Sequence, residues 1–344
     1  MKRIFVILIV ILASGALFAE GAAEPVEENV VNVYSHRHYD VDQELYERFT
    51  ELTGIEVNVV KAGADELIER LRTEGPASPA DVVMTVDAGR LQKAVEMNLL
   101  QAVDSAELDS AIPEHLRHPD GYWFGLTKRA RVLAYSVDRV DPSELSTYED
   151  LANSKWAGRI VVRSSSNIYN QSLMAAMIAA IGEDAAAEWA RAIVSNMARE
   201  PEGNDRDQVK AVASGLADIA IVNTYYLGKL LTSDDPEEVA AGRSVNLFFP
   251  NQSDRGTHIN ISGAGVTAHA PHRDNAIRFI EFLTSVEAQE RYAAGNFEYP
   301  IRDDVPPADL VSSWGNFRED DVNLSVLGDL NIQAVIEFDK AGWK

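Results

Sequence analysis

The chain has 344 residues, with 31 basic and 54 acidic side chains for a net charge of −23, and it contains no cysteine. So acidic a surface repels nucleic acid and anionic lipid. The missing thiols exclude disulfides, thiolate metal sites and lipid attachment through an N-terminal cysteine.

In chain order, Lys2 and Arg3 precede an apolar run over 4–12, and the stretch ends in Ala16-Leu17-Phe18-Ala19. This three-part layout is that of a secretory signal over 1–19. Its apolar run is shorter than the roughly 20 residues that span a bilayer, so cleavage near Glu20 and a periplasmic protein are expected rather than an anchor. Cleavage removes two basic residues and no acid, leaving 29 basic against 54 acidic. Residues 20–30 are small, acidic and Pro-containing, and read as a flexible leader. The remaining length exceeds what one core usually serves, so two lobes are expected.

Periodicity predicts a strand over 31–34, a helix over 41–52, a strand over 55–60, a helix over 65–74, a strand over 80–86 and a helix over 88–97. Extended chain over 122–136 is expected to cross between lobes. A second set follows: a strand over 159–162, helices over 171–181, 184–196 and 206–214, and a strand over 218–222. Strands over 245–249 and 258–268, helices over 274–283 and 286–294, and a partly helical tail complete the reading. Strand alternating with helix implies an α/β fold in which each lobe is a mixed sheet flanked by helices, with the ligand between lobes. The expected lobes are 31–131 with 255–302, and 132–254 with 303–344.

Three groups of tyrosines fall just beyond carboxyl ends of predicted strands, where open α/β sheets carry their functional loops. Tyr39 ends the run Tyr34-Ser35-His36-Arg37-His38-Tyr39, Tyr169 follows the serines 164–166, and Tyr225-Tyr226 directly follow the strand over 218–222. Phenolate oxygens are hard anionic donors suited to a hard, highly charged cation such as Fe³⁺. The competing reading of the doublet is one tyrosine in the core and one facing solvent; both reach one centre only if the strand-to-helix turn curls around it. A free phenol titrates near about pH 10, so metal binding would release protons and weaken in acid. His38 is a candidate imidazole ligand. Arg37, Arg129 and Arg131 are candidates to offset phenolate charge or hold an anion, and Ser166 to hold an anion through its hydroxyl.

At this point the chain resembles the periplasmic ferric-iron-binding proteins of bacterial ABC importers. The markers are the run ending in Tyr39, Ala80-Asp-Val-Val-Met84, Gly125-Leu-Thr-Lys-Arg-Ala-Arg131, Tyr148-Glu-Asp-Leu-Ala152, Trp156-Ala-Gly-Arg-Ile160, Ile221-Val-Asn-Thr-Tyr-Tyr226 and Asn296-Phe-Glu-Tyr-Pro300. The resemblance implies the periplasmic-binding-protein fold and a subclass that holds iron through four tyrosines, here Tyr39, Tyr169, Tyr225 and Tyr226, with His38 beside the first. A second subclass uses a glutamate after the third strand; this chain has Val86 there, with Asp87 next to it. A third mode places carbonate beside an arginine, a part open to Arg129 or Arg131. The implied ligand is transported Fe³⁺, with carbonate or another anion as an added option. The implied partners are ABC permease subunits, with no nucleic acid, no stable membrane insertion of the mature chain, and a monomer.

The rival within binding proteins is a receptor for a polyamine, thiamine or a phosphonate that uses the tyrosines as aromatic walls. A rival from another class is an exported hydrolase built on Ser164–Ser166, but no Gly-x-Ser-x-Gly elbow, His-Glu-x-x-His motif or phosphate loop accompanies it.

Overall fold

The computed structural model describes residues 29–344. The expected signal over 1–19 and all but the end of the leader lie outside the described residues. The first half of the chain forms β1 (Val30–Ser35), α1 (Asp40–Thr53), β2 (Glu56–Lys61), α2 (Ala64–Glu74), β3 (Val82–Thr85), α3 (Ala88–Glu96), α4 (Ala106–Ala111) and the long β4 (Phe124–Ser136). Then follow β5 (Ile160–Val161), α5 (Ile168–Ile181), α6 (Glu183–Asn196), α7 (Asp205–Ala213), β6 (Ile219–Asn223), α8 (Tyr225–Leu231), α9 (Pro236–Arg243) and β7 (Val245–Phe248). The chain ends with β8 (Ile259–Val266), α10 (Arg273–Leu283), α11 (Val286–Asn296), β9 (Tyr299–Pro300), α12 (Asp309–Ser312), α13 (Val326–Asp329) and α14 (Asn331–Ala341).

The strands run in the order β2-β1-β3-β8-β4-β6-β5, with β7 and β9 also paired to β4. β1 is parallel to β2 and β3, and β5 to β6; β8 and β4 run against their neighbours. The sheet is therefore mixed, as expected. β4 changes partners midway. Residues up to Ala130 pair with β8, and from Arg131 onward the partners are β6 and β7. One strand thus threads both halves of a two-lobed α/β fold, and β8 brings the chain back to the first half by pairing with β3.

Central strands are buried on both faces because helices cover both sides, which requires unbroken apolar runs rather than alternation. β3 reads Val-Val-Met-Thr with every residue buried, and in β4 only Lys128 is less than buried. The outermost β2 is half exposed along its length. The tail touches both halves: α14 packs on α5 and α6, while the Leu324 amide donates to the His115 carbonyl (3.1 Å) and α13 packs on α3. No helix of the described residues is long and apolar enough to cross a membrane.

One boundary difference bears on the site. α5 starts at Ile168, three residues before the expected position, because Asn167 acts as its cap and accepts from the Tyr169 amide (3.1 Å). Tyr169 therefore sits on the first turn of a helix instead of in a loop.

Candidate metal centre

Each tyrosine occupies a strand-to-helix transition. Tyr39 is the cap residue of α1, and its amide donates to the Asp42 carboxylate (3.2 Å). The loop before it turns because Ser35 Oγ accepts from the Arg37 amide (3.0 Å). That turn drives the Arg37 side chain inward, where it is 0% exposed. Its Nε donates to Asp42 (2.9 Å), and its Nη1 to Thr127 (3.2 Å) and Glu298 (3.4 Å). The guanidinium lies 4.9 Å from the ring centres of both Tyr39 and Tyr292. Arg37 is therefore a buried cation beneath Tyr39, held by two carboxylates, which keep it protonated. His38 is exposed, its ring stacked beside Tyr39 at 5.2 Å.

In the other half, Tyr225 and Tyr226 open α8 directly after β6 and Thr224. Their rings stand 4.2 Å apart at 31°, so both extend to the same side and the turn does curl. The reading with one tyrosine in the core and one in solvent fails on this geometry. Tyr225 is 3% exposed, and its hydroxyl lies 3.4 Å from that of Tyr169. Three of the four phenols thus form one group. Tyr39 meets them through Lys229, whose Nζ lies 4.4 Å from the Tyr39 ring centre and 5.2 Å from that of Tyr225.

Burial raises the phenols of Tyr39, Tyr225 and Tyr226 above the ordinary tyrosine range, and the neighbouring Tyr169 phenol adds to each shift. For Tyr39, Glu298 raises it further and Arg37 opposes. Without a cation the neutral forms are favoured; a trivalent ion reverses that preference, with release of protons. Burial lowers the Lys229 ammonium, while Glu298 supports its charge.

Tyr169 is surrounded by cations. Arg129, Arg163 and Arg131 lie 5.3, 5.5 and 6.0 Å from its ring centre. Arg131 bonds Asp205 (2.7 Å), Asn170 (2.8 Å) and Asn223 (3.1 Å), so it fixes residues adjacent to Tyr169 and Tyr225. Arg129 donates to the Val86 carbonyl. Arg129, Arg131, Tyr169, Asn223, His258 and Asn260 line a small polar crevice. Arg129 Nη1, Arg131 Nε, Asn223 Nδ2 and His258 Nδ1 are buried there without a protein partner. Buried polar groups are nearly always satisfied, so four orphans here are unusual, but the crevice is too tight to admit even a water.

Two candidates are placed differently from the rest. Ser166 is exposed, and its hydroxyl pairs with Ser164 Oγ (2.8 Å). Asp87, the acid after the third strand, caps α3: it accepts from the Gly89 amide (2.8 Å), Ser172 Oγ (2.9 Å) and Asn260 Nδ2 (2.8 Å). Three of its acceptor sites are occupied there. Among the described residues no group of three or more His, Asp or Glu side chains is arranged to hold a metal.

Lys229, Glu298 and Arg163 were absent from the residues singled out in the sequence. Lys229 was findable, since it stands three and four residues beyond the tyrosine pair and so shares their helix face. Glu298 lay inside the run Asn296–Pro300, which gave no chemical signal of its own.

The chain matches the family described as bacterial extracellular solute-binding protein over residues 44–319. It is 51% identical over 323 residues to iron uptake protein A1 of Synechocystis, covering 94% of this chain and 90% of the relative. A Trichodesmium protein solved in complex with iron and citrate superposes with a TM-score of 0.90 at 53% identity, covering 92% of this chain and all of that one. A ferric binding protein from Campylobacter jejuni gives a TM-score of 0.86 at 43% identity, covering 91% and 100%. With most of its length inside the family match and an iron-uptake relative at half identity, the chain belongs to the bacterial extracellular solute-binding proteins.

Proposed function

We propose that this protein is a periplasmic receptor that captures Fe³⁺ on the phenolates of Tyr39, Tyr169, Tyr225 and Tyr226 and delivers it to an ABC permease. The observation that carries the reading is the convergence of the phenols: Tyr169 and Tyr225 hydroxyls 3.4 Å apart, the Tyr226 ring 4.2 Å from that of Tyr225, and Tyr39 joined through Lys229. The iron-uptake and iron-bound relatives support the choice of metal.

Four phenolates exceed the charge of Fe³⁺ by one. Lys229, in contact with two of the rings, and Arg37 beneath Tyr39 offset that excess at short range. His38 stands at the solvent side of Tyr39 as an outer donor. Carbonate or another small anion would meet donors beside Tyr169 only if the crevice there opened, since it admits no water-sized group in this structure. The proposed lobes are 31–131 with 255–302, and 132–254 with 303–344, the first crossing falling one residue after β4 changes partners between Ala130 and Arg131. Hinge closure around the ion follows the usual movement of such receptors, and a monomer leaves both lobes free to meet the permease.

The aromatic-box rival requires tyrosine faces open to an organic cation. Lys229 already covers two of them. Mature protein loaded with ferric citrate and passed through gel filtration is expected to keep one iron per chain. The Tyr225→Phe, Tyr226→Phe double variant is expected to lose it. Full retention by that variant, or none by the unaltered protein, overturns the proposal.

A further inference from the structure

Phe297 ends α11 with φ +57° and ψ +20°, the left-handed conformation that helix ends usually give to glycine. A bulky aromatic residue there is strained, and such strain persists only where the surroundings impose it. The cause lies across the molecule. A Cβ built on Gly228 would stand 2.5 Å from Phe297 Cγ and 2.8 Å from its Cβ, so the Phe297 ring rests directly on the backbone of α8. Gly228 in turn is an unfavourable residue for a helix interior. It sits two residues after Tyr226 and one before Lys229. At the other end, a Cβ on Gly295 would stand 2.8 Å from Val41 Cβ, so α11 lies equally close to α1, two residues from Tyr39.

We infer that Phe297 is a positioning residue: a strut, seated on Gly228 and backed by α11 against α1, that sets the distance between Tyr39 and the Tyr225–Tyr226 pair. The two glycines remove side chains at both ends, so backbone meets ring at one end and helix meets helix at the other. Compressible contacts would let the fourth phenol drift; this stack is rigid. The strain at Phe297 is maintained by the contact and would be relieved when the two faces part. The inference rests on the ferric reading above and adds the element that transmits the approach of one tyrosine face to the other.

Gly228→Ala tests it, because alanine favours the helix and so spares the fold while its methyl collides with the ring. Three quantities are read on iron-loaded protein: the visible ferric–phenolate band, compaction by small-angle scattering, and iron release to excess chelator. Gly228→Ala is expected to keep a band, lose most of the compaction, and release iron faster by on the order of tenfold. Phe297→Gly alone, which removes the ring, permits positive φ and introduces no clash, is expected to keep a band and also to release iron faster, by about threefold or more. Wild-type release and compaction in Gly228→Ala overturn the strut, as does wild-type release in Phe297→Gly. Absence of any band in the unaltered protein overturns the ferric reading instead, and the strut's stated purpose with it.

Discussion

The two faces of the site are built differently. On one, Tyr39 stands alone over a fully buried Arg37, with Asp42 and Glu298 locking the guanidinium. On the other, Tyr169, Tyr225 and Tyr226 are already in mutual contact, and their support is a cluster of three arginines with several unpartnered donors. The contrast separates two tasks. Three preassembled phenols suit capture, because little must be reorganised to meet the ion; one phenol on a buried guanidinium held by two carboxylates suits closure, because it must arrive in a fixed place.

The largest effect is expected from breaking the base of the lone tyrosine. Arg37→Met leaves Asp42 and Glu298 buried without their cation, which should lower stability by about 3–5 kcal/mol. Urea unfolding of the iron-free protein measures it, and a midpoint near that of the unaltered protein would show that Arg37 is not the anchor its contacts imply.

On the three-tyrosine face the floor is sensitive to acid. Burial, with Arg131 and Arg129 adding to it, depresses His258 from 6.5 to about 3. A group with a depressed folded pKa contributes stability above its unfolded value, and that contribution is lost as pH falls from about 6.5 toward 3. Between pH 7 and pH 5 the loss attributable to His258 should be about 2 kcal/mol. His258→Asn should flatten the fall by that amount in urea titrations at the two pH values; an unchanged slope would mean the imidazole does not stay neutral inside.

The smallest effect belongs to the bridge between the faces. Lys229→Gln removes a cation touching Tyr39 and Tyr225 and makes their phenolates harder to form, so the pH of half-loading with iron should rise by roughly half a unit to one unit. A fall, or no change, would show that Lys229 does not offset phenolate charge.

Much of this was legible in the sequence. The alternation of strands and helices gave the mixed sheet, and the predicted strand ends put Tyr39, Tyr225 and Tyr226 at the strand-to-helix transitions where the structure has them. The placement of Tyr169 depended on Asn167 as a helix cap, a local signal that was present and outweighed by the serine run. Arg37 and Arg131 were legible as candidate charges, but the carboxylates that hold them were not, because they are remote: Arg37 and Glu298 are 261 residues apart, and Arg131 and Asp205 are 74 apart. No periodicity marks such pairs. The strained Phe297 was equally hidden, since its conformation is imposed by a glycine on another helix.

The most direct test of four phenols on one ferric ion is the visible absorption spectrum of mature protein titrated with a ferric salt kept soluble by a weak chelator. A broad band saturating at one equivalent is expected, lost in Tyr225→Phe, and retained but displaced with faster iron release in Tyr39→Phe. A spectrum with no band at any loading, or a band indifferent to both substitutions, would contradict it.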